Sequence, residues 1–531
     1  MSKEFDFIVV GAGTAGCLLA NRLSSNGKFS VALLEAGGSD NYHWVHIPVG
    51  YLYCMGNKRT DWLYKTTSQK GLNGRALNYP RGKVMGGCSS INGMIYMRGQ
   101  ANDYDQWRQM GNEGWSWDDV LPYFKNMEDS YEGKSKFHGA GGEWKVNQQR
   151  LSWNILDSFQ EATVEAGIPK VDDFNEGNNF GVSYFKVNQN SGFRWNTVKA
   201  FIKPIKNRKN LHVISKCEVN KLILENNKIK GVEVTRNGKI EDIFVHKEII
   251  LSAGSIGSPK ILELSGIGNP HLLSDLGIET KVKSPNVGEN LQDHLQLRVI
   301  YQLENAQTLN QKANSLLGKI AIGLEYALKR TGPMSMAPSQ LGIFAMSDKS
   351  YETPNLQFHV QPLSLDKFGD PLHDFPGLTA SVCNLNPQSR GSVHITSKDP
   401  KIAPSIDPNY LSEEQDKLVA AQSIELARKI ITQPAMKKYN PKEYAPGIQF
   451  QSEDELKKVA GDIGTTIFHP VGTCGMGPGT SSVTDSNLKV RGVEGLRIAD
   501  ASIMPTITSG NTNAPTLMIA EKASEIILNS N

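Results

Sequence analysis

Phe5 to Leu34 reads as a buried strand, a glycine turn, a helix and a second strand, and Glu35 follows at once. FDFIVV is a continuous apolar run, the pattern of a parallel strand covered on both faces, and GAGTAG opens the helix CLLANRL directly behind it. In that order Gly11 permits the tight turn, Gly13 lets a pyrophosphate approach the backbone, and Gly16 lets helix and strand pack closely. The anion then rests on a helix N-terminus formed by Thr14 and Ala15, where free amides and the positive end of the dipole favour negative charge. Glu35, followed by Ala36, closes the strand VALLE about 20 residues beyond the last glycine, where a carboxylate can accept hydrogen bonds from an adenosine ribose. An empty glycine turn in an α/β domain is the competing explanation. With strands, helix and acid all in register, an ADP-containing dinucleotide is expected, and the fingerprint alone leaves FAD and NAD open.

A chain of 531 residues exceeds one ordinary core, so two domains or one large insertion are expected. The net charge of +3, with no concentrated run of Lys and Arg, argues against nucleic acid as a partner. Six cysteines scattered without CxxC or metal-type spacing fit reduced thiols in a cytoplasmic protein, and no metal site is expected. MSKEFDF reads as entering its strand at once, so no cleaved signal is expected. No apolar run approaches the length of a membrane span. Peripheral contact with the inner membrane stays open, as does the oligomeric state.

Residues 37–142 carry little regular periodicity, and a long irregular stretch inside a compact protein usually serves function. Beta structure resumes with LHVIS, VNKLILE, IKGVEVTR and KEIILSAGS, a three-stranded meander before a returning apolar strand. That insertion resembles FAD domains of the glutathione-reductase type and favours FAD. Further on, LQFHVQPL and GSVHITS alternate like strands, while KIAIGLEYALKR and DKLVAAQSIELARKII have helical spacing. The expected fold is α/β with an α+β second domain: a Rossmann-like FAD-binding domain (1–155, 200–300 and 462–531) and a discontinuous substrate domain on a mostly antiparallel sheet (156–199 and 301–461). GLRIAD reads as another short buried strand, and the last helix begins around Pro515.

RGKVMGGCSSINGMIYMRG (Arg81 to Gly99), GSIGSPKILELSGIG (Gly254 to Gly268), NVGENLQDH, HPVGTCGMG and GNTNAPT occur in that order. With these, the chain resembles the glucose-methanol-choline flavoprotein oxidoreductases over essentially its whole length, nearest the bacterial aliphatic alcohol and choline dehydrogenases. The resemblance implies FAD, with Val84, Gly87, Asn92, Gly93 and Ile95 along the flavin ring and ribityl chain. It puts Val219 at the adenine, Asp500 and Ala501 at the ribityl and pyrophosphate region, and Pro515 and Thr516 at the start of a helix facing the cofactor. Some choline oxidases bond flavin through a histidine in the first signature; Ile91 stands at the matching position, so noncovalent FAD is expected.

Oxidising a primary alcohol to its aldehyde removes a hydroxyl proton and a hydride, and the protein must handle the proton. A neutral imidazole suits that task. By resemblance His469, in IFHP, is the general base beside flavin N5, and Asn513 donates a hydrogen bond to the substrate oxygen. Asn513 also reads as a helix N-cap, and Cys474 as packing. Activity is expected to fall as pH drops through the ordinary histidine range. Gln357, His359 and Leu385 are the expected substrate-lining residues, and oxygen or a quinone is the expected electron acceptor. Alternatives are choline-type amino alcohol oxidation, a noncatalytic or lyase protein, and a photodecarboxylase; that last branch places a cysteine near the position of Leu385, with Cys383 two residues away.

Overall fold

The strand Glu4–Val10 forms the middle of the first sheet, with Val31–Glu35 parallel on one side and Lys239–Leu251 parallel on the other. Leu211–Ser215 extends the sheet beyond Val31–Glu35, and Leu496–Ile498 pairs parallel with Ile249 to Leu251. Phe7 to Val10 are covered on both faces, as an unbroken apolar run requires. Helix Thr14–Leu23 packs against the sheet and against the C-terminal helix Asn513–Ser530. The chain is described by a computed structural model over residues 3–367 and 369–531.

Two glycines in the first turn are sterically required. Gly11 has φ +97°, and a Cβ there would lie 2.6 Å from the Ser252 carbonyl oxygen; a Cβ on Gly16 would lie 1.8 Å from the Gly11 carbonyl oxygen. The meander Cys217–Glu225, Lys228–Arg236 and Lys239–Leu251 is antiparallel, turning at Asn226 and Asn227 with φ of 49° and 59°. Its third strand runs on for 13 residues and is itself the returning strand, so the expected separate fourth strand merges with it.

The second sheet is antiparallel throughout, in the order Lys442–Ala445, Leu295–Gln302, Gly377–Asn384, Leu356–Gln361, Leu341–Ala345, Gly181–Tyr184. Helices Glu414–Ile431 and Glu453–Ile463 cover one face and bury residues such as Leu297, Val299, Ala380 and Val382 between them. Alternation along each strand turns Gln296, Arg298, His359 and Gln361 to the opposite face, where they line a cavity. Leu295–Gln302 and Gly464–Thr466 pair with each other in this sheet. The division expected at 300 and 462 therefore cuts through it, because strand periodicity runs on across those points and only pairing reveals which sheet a strand joins. Ser392–His394, from GSVHITS, pairs with Ser405–Asp407 outside the main sheet.

The two longer helices of the aperiodic region, Ala101–Gln109 and Trp117–Met127, are each opened by a reciprocal capping box: Gln100 with Asp103, and Ser116 with Asp119. Helix Leu316–Lys329 turns Leu316, Leu317, Ile320, Leu324 and Leu328 outward. Among the described residues no helix is long and apolar enough to cross a membrane.

Candidate active site

A cavity of about 890 Å³ opens between the glycine turn of the first sheet and the uncovered face of the second. His469, 8% exposed, is held in its wall at three points. Its backbone N–H donates to Asp293 Oδ1 at 2.7 Å. The other oxygen of that buried carboxylate accepts from Thr466 Oγ1 (2.6 Å), from the Tyr79 hydroxyl (2.8 Å) and from the Tyr410 hydroxyl. Phe468, just before His469, has φ +70°, a left-handed conformation sparsely populated by bulky residues. The Arg81 guanidinium helps hold it by donating to the Phe468 carbonyl at 2.7 Å.

The ring of His469 sits in a chain of hydrogen bonds that sets its tautomer. His294 Nε2 lies 3.1 Å from the Leu385 carbonyl, which can only accept, so His294 carries its proton on Nε2. Burial lowers His294 to about 4, so it is neutral and its Nδ1 is an acceptor. His469 Nδ1 lies 3.1 Å from that atom and must donate to it. The remaining His469 nitrogen, Nε2, keeps its lone pair, and Asn511 Nδ2 approaches it at 3.0 Å. Asn511 is oriented in turn by Gln357 Nε2, 3.3 Å from its Oδ1. Burial first, then the neighbouring His294, His359 and Arg81, hold His469 well below the usual imidazole range. Proton loss near the ordinary histidine pKa is therefore displaced to more acidic solution.

Asn513, expected to face the substrate beside His469, lines the same cavity and makes no hydrogen bond to His469 among the described residues. It is the first residue of the C-terminal helix, with Thr512 at the cap, so the N-cap role also falls one residue earlier. Its Oδ1 accepts from Thr14 Oγ1 at 2.9 Å, while its Nδ2 is buried and has no partner. The carboxamide beside the imidazole is Asn511, two residues earlier in the same NTN sequence. Of the expected substrate residues, His359 lines the cavity; Gln357 and Leu385 stand behind the wall and act on Asn511 and His294 as described. Cys383 lies outside the lining, its Sγ 3.6 Å from the Gln357 carbonyl, and burial raises its thiol.

At the other end Gly11, Gly13, Thr14, Ala15, Glu35, Ala36, Gly87, Asn92, Gly93, Ile95, Val219, Asp500, Ala501, Asn513 and Thr516 line the cavity, whereas Gly16, Val84 and Pro515 are packed behind it. A Cβ on Gly87 would lie 2.7 Å from Gly13 Cα, so the first signature and the glycine turn meet backbone to backbone. Asn92 is clamped by Arg194, whose nitrogens reach its Oδ1 at 2.8 Å and its carbonyl at 2.6 Å. Glu35 accepts from the amides of Ala12 (2.9 Å) and Gly37 (2.7 Å), and burial raises it to about 7. The Asp500 oxygens accept from Gly254 N, Ser258 Oγ and the Ser502 N–H and hydroxyl, so this carboxylate braces the start of helix Gly254–Leu264. The helix N-terminus at Thr14, the glycine-lined wall and the orphaned Asn513 Nδ2 together fit a flavin adenine dinucleotide.

Residues 5–296 and 387–520 match families described as GMC oxidoreductase. The chain is 39% identical over 532 residues to an oxygen-dependent choline dehydrogenase of Photobacterium profundum, covering 99% of this chain and 94% of that protein. It is 39% identical over 528 residues to an alcohol dehydrogenase (acceptor) of Pseudomonas putida, covering 99% and 96%. Among solved structures, pyridoxine 4-oxidase from Mesorbium loti superposes with TM-score 0.89 at 29% identity over 98% of each chain. An Aspergillus oryzae formate oxidase variant superposes with TM-score 0.93 at 26% identity, over 99% of this chain and 98% of that one. A fold, a dinucleotide cradle and a full-length sequence match thus converge, and the chain belongs to the GMC oxidoreductases, enzymes that use FAD.

Proposed function

We propose that the protein oxidises a primary alcohol to its aldehyde, with His469 as general base and Asn511 as the donor to the substrate oxygen. The observation that carries this is the unprotonated Nε2 of His469 at the cavity wall, whose lone pair accepts from Asn511 Nδ2 at 3.0 Å. A substrate hydroxyl that replaces this contact donates to the imidazole lone pair and accepts from the carboxamide, which holds the oxygen as negative charge develops. FAD, when bound, supplies the two-electron acceptor. His294 receives the hydrogen bond from the opposite ring nitrogen and keeps the imidazole aimed. Choline-type substrates call for an aromatic cage. Trp44 and Tyr53 instead stack on each other at 4.1 Å, and the Lys83 ammonium lies over Trp62 at 3.9 Å, which favours the plain alcohol.

The test is the pH dependence of anaerobic flavin reduction by a saturating alcohol after a pH jump. Because His469 is held below 6.5, the rate stays level from about pH 8 down through 6.5 and falls only in more acidic solution. A rate that halves near 6.5 contradicts the buried base. Stability has its own signature, since His294, His359 and His469 are all lowered by burial. The unfolded chain takes up protons below about 6.5 that the folded one refuses, so stability is whole above that pH and is lost as pH falls. Each group contributes a loss of up to about 1.4 kcal/mol per pH unit. Melting temperatures across that range check it.

The flavin is held without a covalent bond in this reading. Ile91, buried at 2% exposure, has no group that could bond it. Acid precipitation should leave the yellow colour in the supernatant, and flavin retained in the pellet contradicts the reading.

A further inference from the structure

Three strands of the second sheet carry a row of polar side chains that the chain itself leaves unsatisfied. Arg298 stands opposite Ser381, and Ser381 stands opposite His359. Directly opposed residues of antiparallel strands share a face, so the three side chains form one line across the sheet. Arg298 and His359 line the cavity. Arg298 Nε and Nη2, Ser381 Oγ and His359 Nε2 are shut off from solvent without a hydrogen-bond partner among the described residues. Folded proteins leave few such groups, and a cationic one is the rarest among them. Arg298 forms no ion pair among the described residues, and burial lowers it only to about 10, so it stays charged at neutral pH.

The row is placed for a substrate. The next row along the same strands is Gln296, Cys383 and Gln357, and Gln357 bonds Asn511 directly. Two residues along a strand separate the rows, about 7 Å. The reacting hydroxyl and the guanidinium therefore face one cavity a short chain apart.

We infer that the alcohol carries a carboxylate at its far end, received by Arg298 with the Ser381 hydroxyl beside it. The substrate class is a short ω-hydroxy carboxylate. A guanidinium pairs with a carboxylate through charge-assisted, often paired hydrogen bonds, and the same group repels a quaternary ammonium. The inference rests on the alcohol-oxidation reading for its reacting end and on the unpaired row for its anionic end, and the two are tested separately.

The FAD-loaded protein is titrated with pentanoate and with pentanamide, neither of which can be oxidised as an alcohol, following the flavin absorbance. Flavin reduction is then compared anaerobically for 5-hydroxypentanoate and its methyl ester. Pentanoate binds roughly ten- to a hundred-fold more tightly than the amide. The hydroxy acid shows a similar advantage over the ester in apparent affinity. Arg298→Met brings both ratios close to one, and Arg298→Lys restores part of them. Equal binding of acid and amide by the unaltered protein overturns the inference, as does an undiminished preference in Arg298→Met. If pentanoate is preferred but no hydroxy compound bleaches the flavin, the anion site stands and the oxidation reading falls; if acid and ester reduce it alike, the reverse holds.

Discussion

Replacing His469 with alanine lowers the rate of anaerobic flavin reduction by an alcohol about 10²–10⁴-fold. The imidazole presents an unprotonated Nε2 to the cavity because its Nδ1 hydrogen is committed to His294. Removing the ring leaves the hydroxyl proton without an acceptor, since Asn511 in that orientation offers only a donor. The Asp293 bond is made to the backbone of residue 469, so the segment can keep its course in the variant. FAD content is measured in parallel, and added imidazole is expected to restore part of the rate. Reduction within a few-fold of the unaltered protein would remove His469 from the role of base.

Asn511→Ala lowers the same rate about 10²–10³-fold, the usual cost of one donor aimed at a developing oxyanion. FAD occupancy is retained, because Asn511 bonds His469 and Gln357 and nothing in the glycine turn. Asn513→Ala behaves differently. Its carboxamide accepts from Thr14 at the helix N-terminus and its Nδ2 is buried without a partner, so its loss is expected to reduce flavin occupancy. Stopped-flow reduction and flavin-to-protein absorbance ratios separate the two. A full-rate Asn511→Ala beside a slow, flavin-replete Asn513→Ala would reverse the assignment.

Asn511 and Asn513 show where a sequence stops being legible. Both asparagines stand in GNTNAPT, two residues apart, and the turn into the C-terminal helix decides which one faces His469. The glycine turn was readable because its constraints are local: Gly16 must clear the carbonyl of Gly11, five residues away. The second sheet was readable as strands, yet alternation alone gave no face for Gln357 or Leu385. Gln357 proved to orient Asn511, and Leu385 contributes its carbonyl rather than its side chain. His294 was visible in NVGENLQDH, but its contact with His469 spans 175 positions and had no local signal. The orphaned row at Arg298 appears only once three strands are in register.

The most direct measurement is anaerobic titration of the FAD-loaded protein with a panel of primary alcohols, short ω-hydroxy acids included, following flavin absorbance and assaying product. The account predicts full bleaching by at least one member, with one aldehyde formed per flavin. A protein that binds FAD yet keeps its yellow colour in the presence of every alcohol would contradict it.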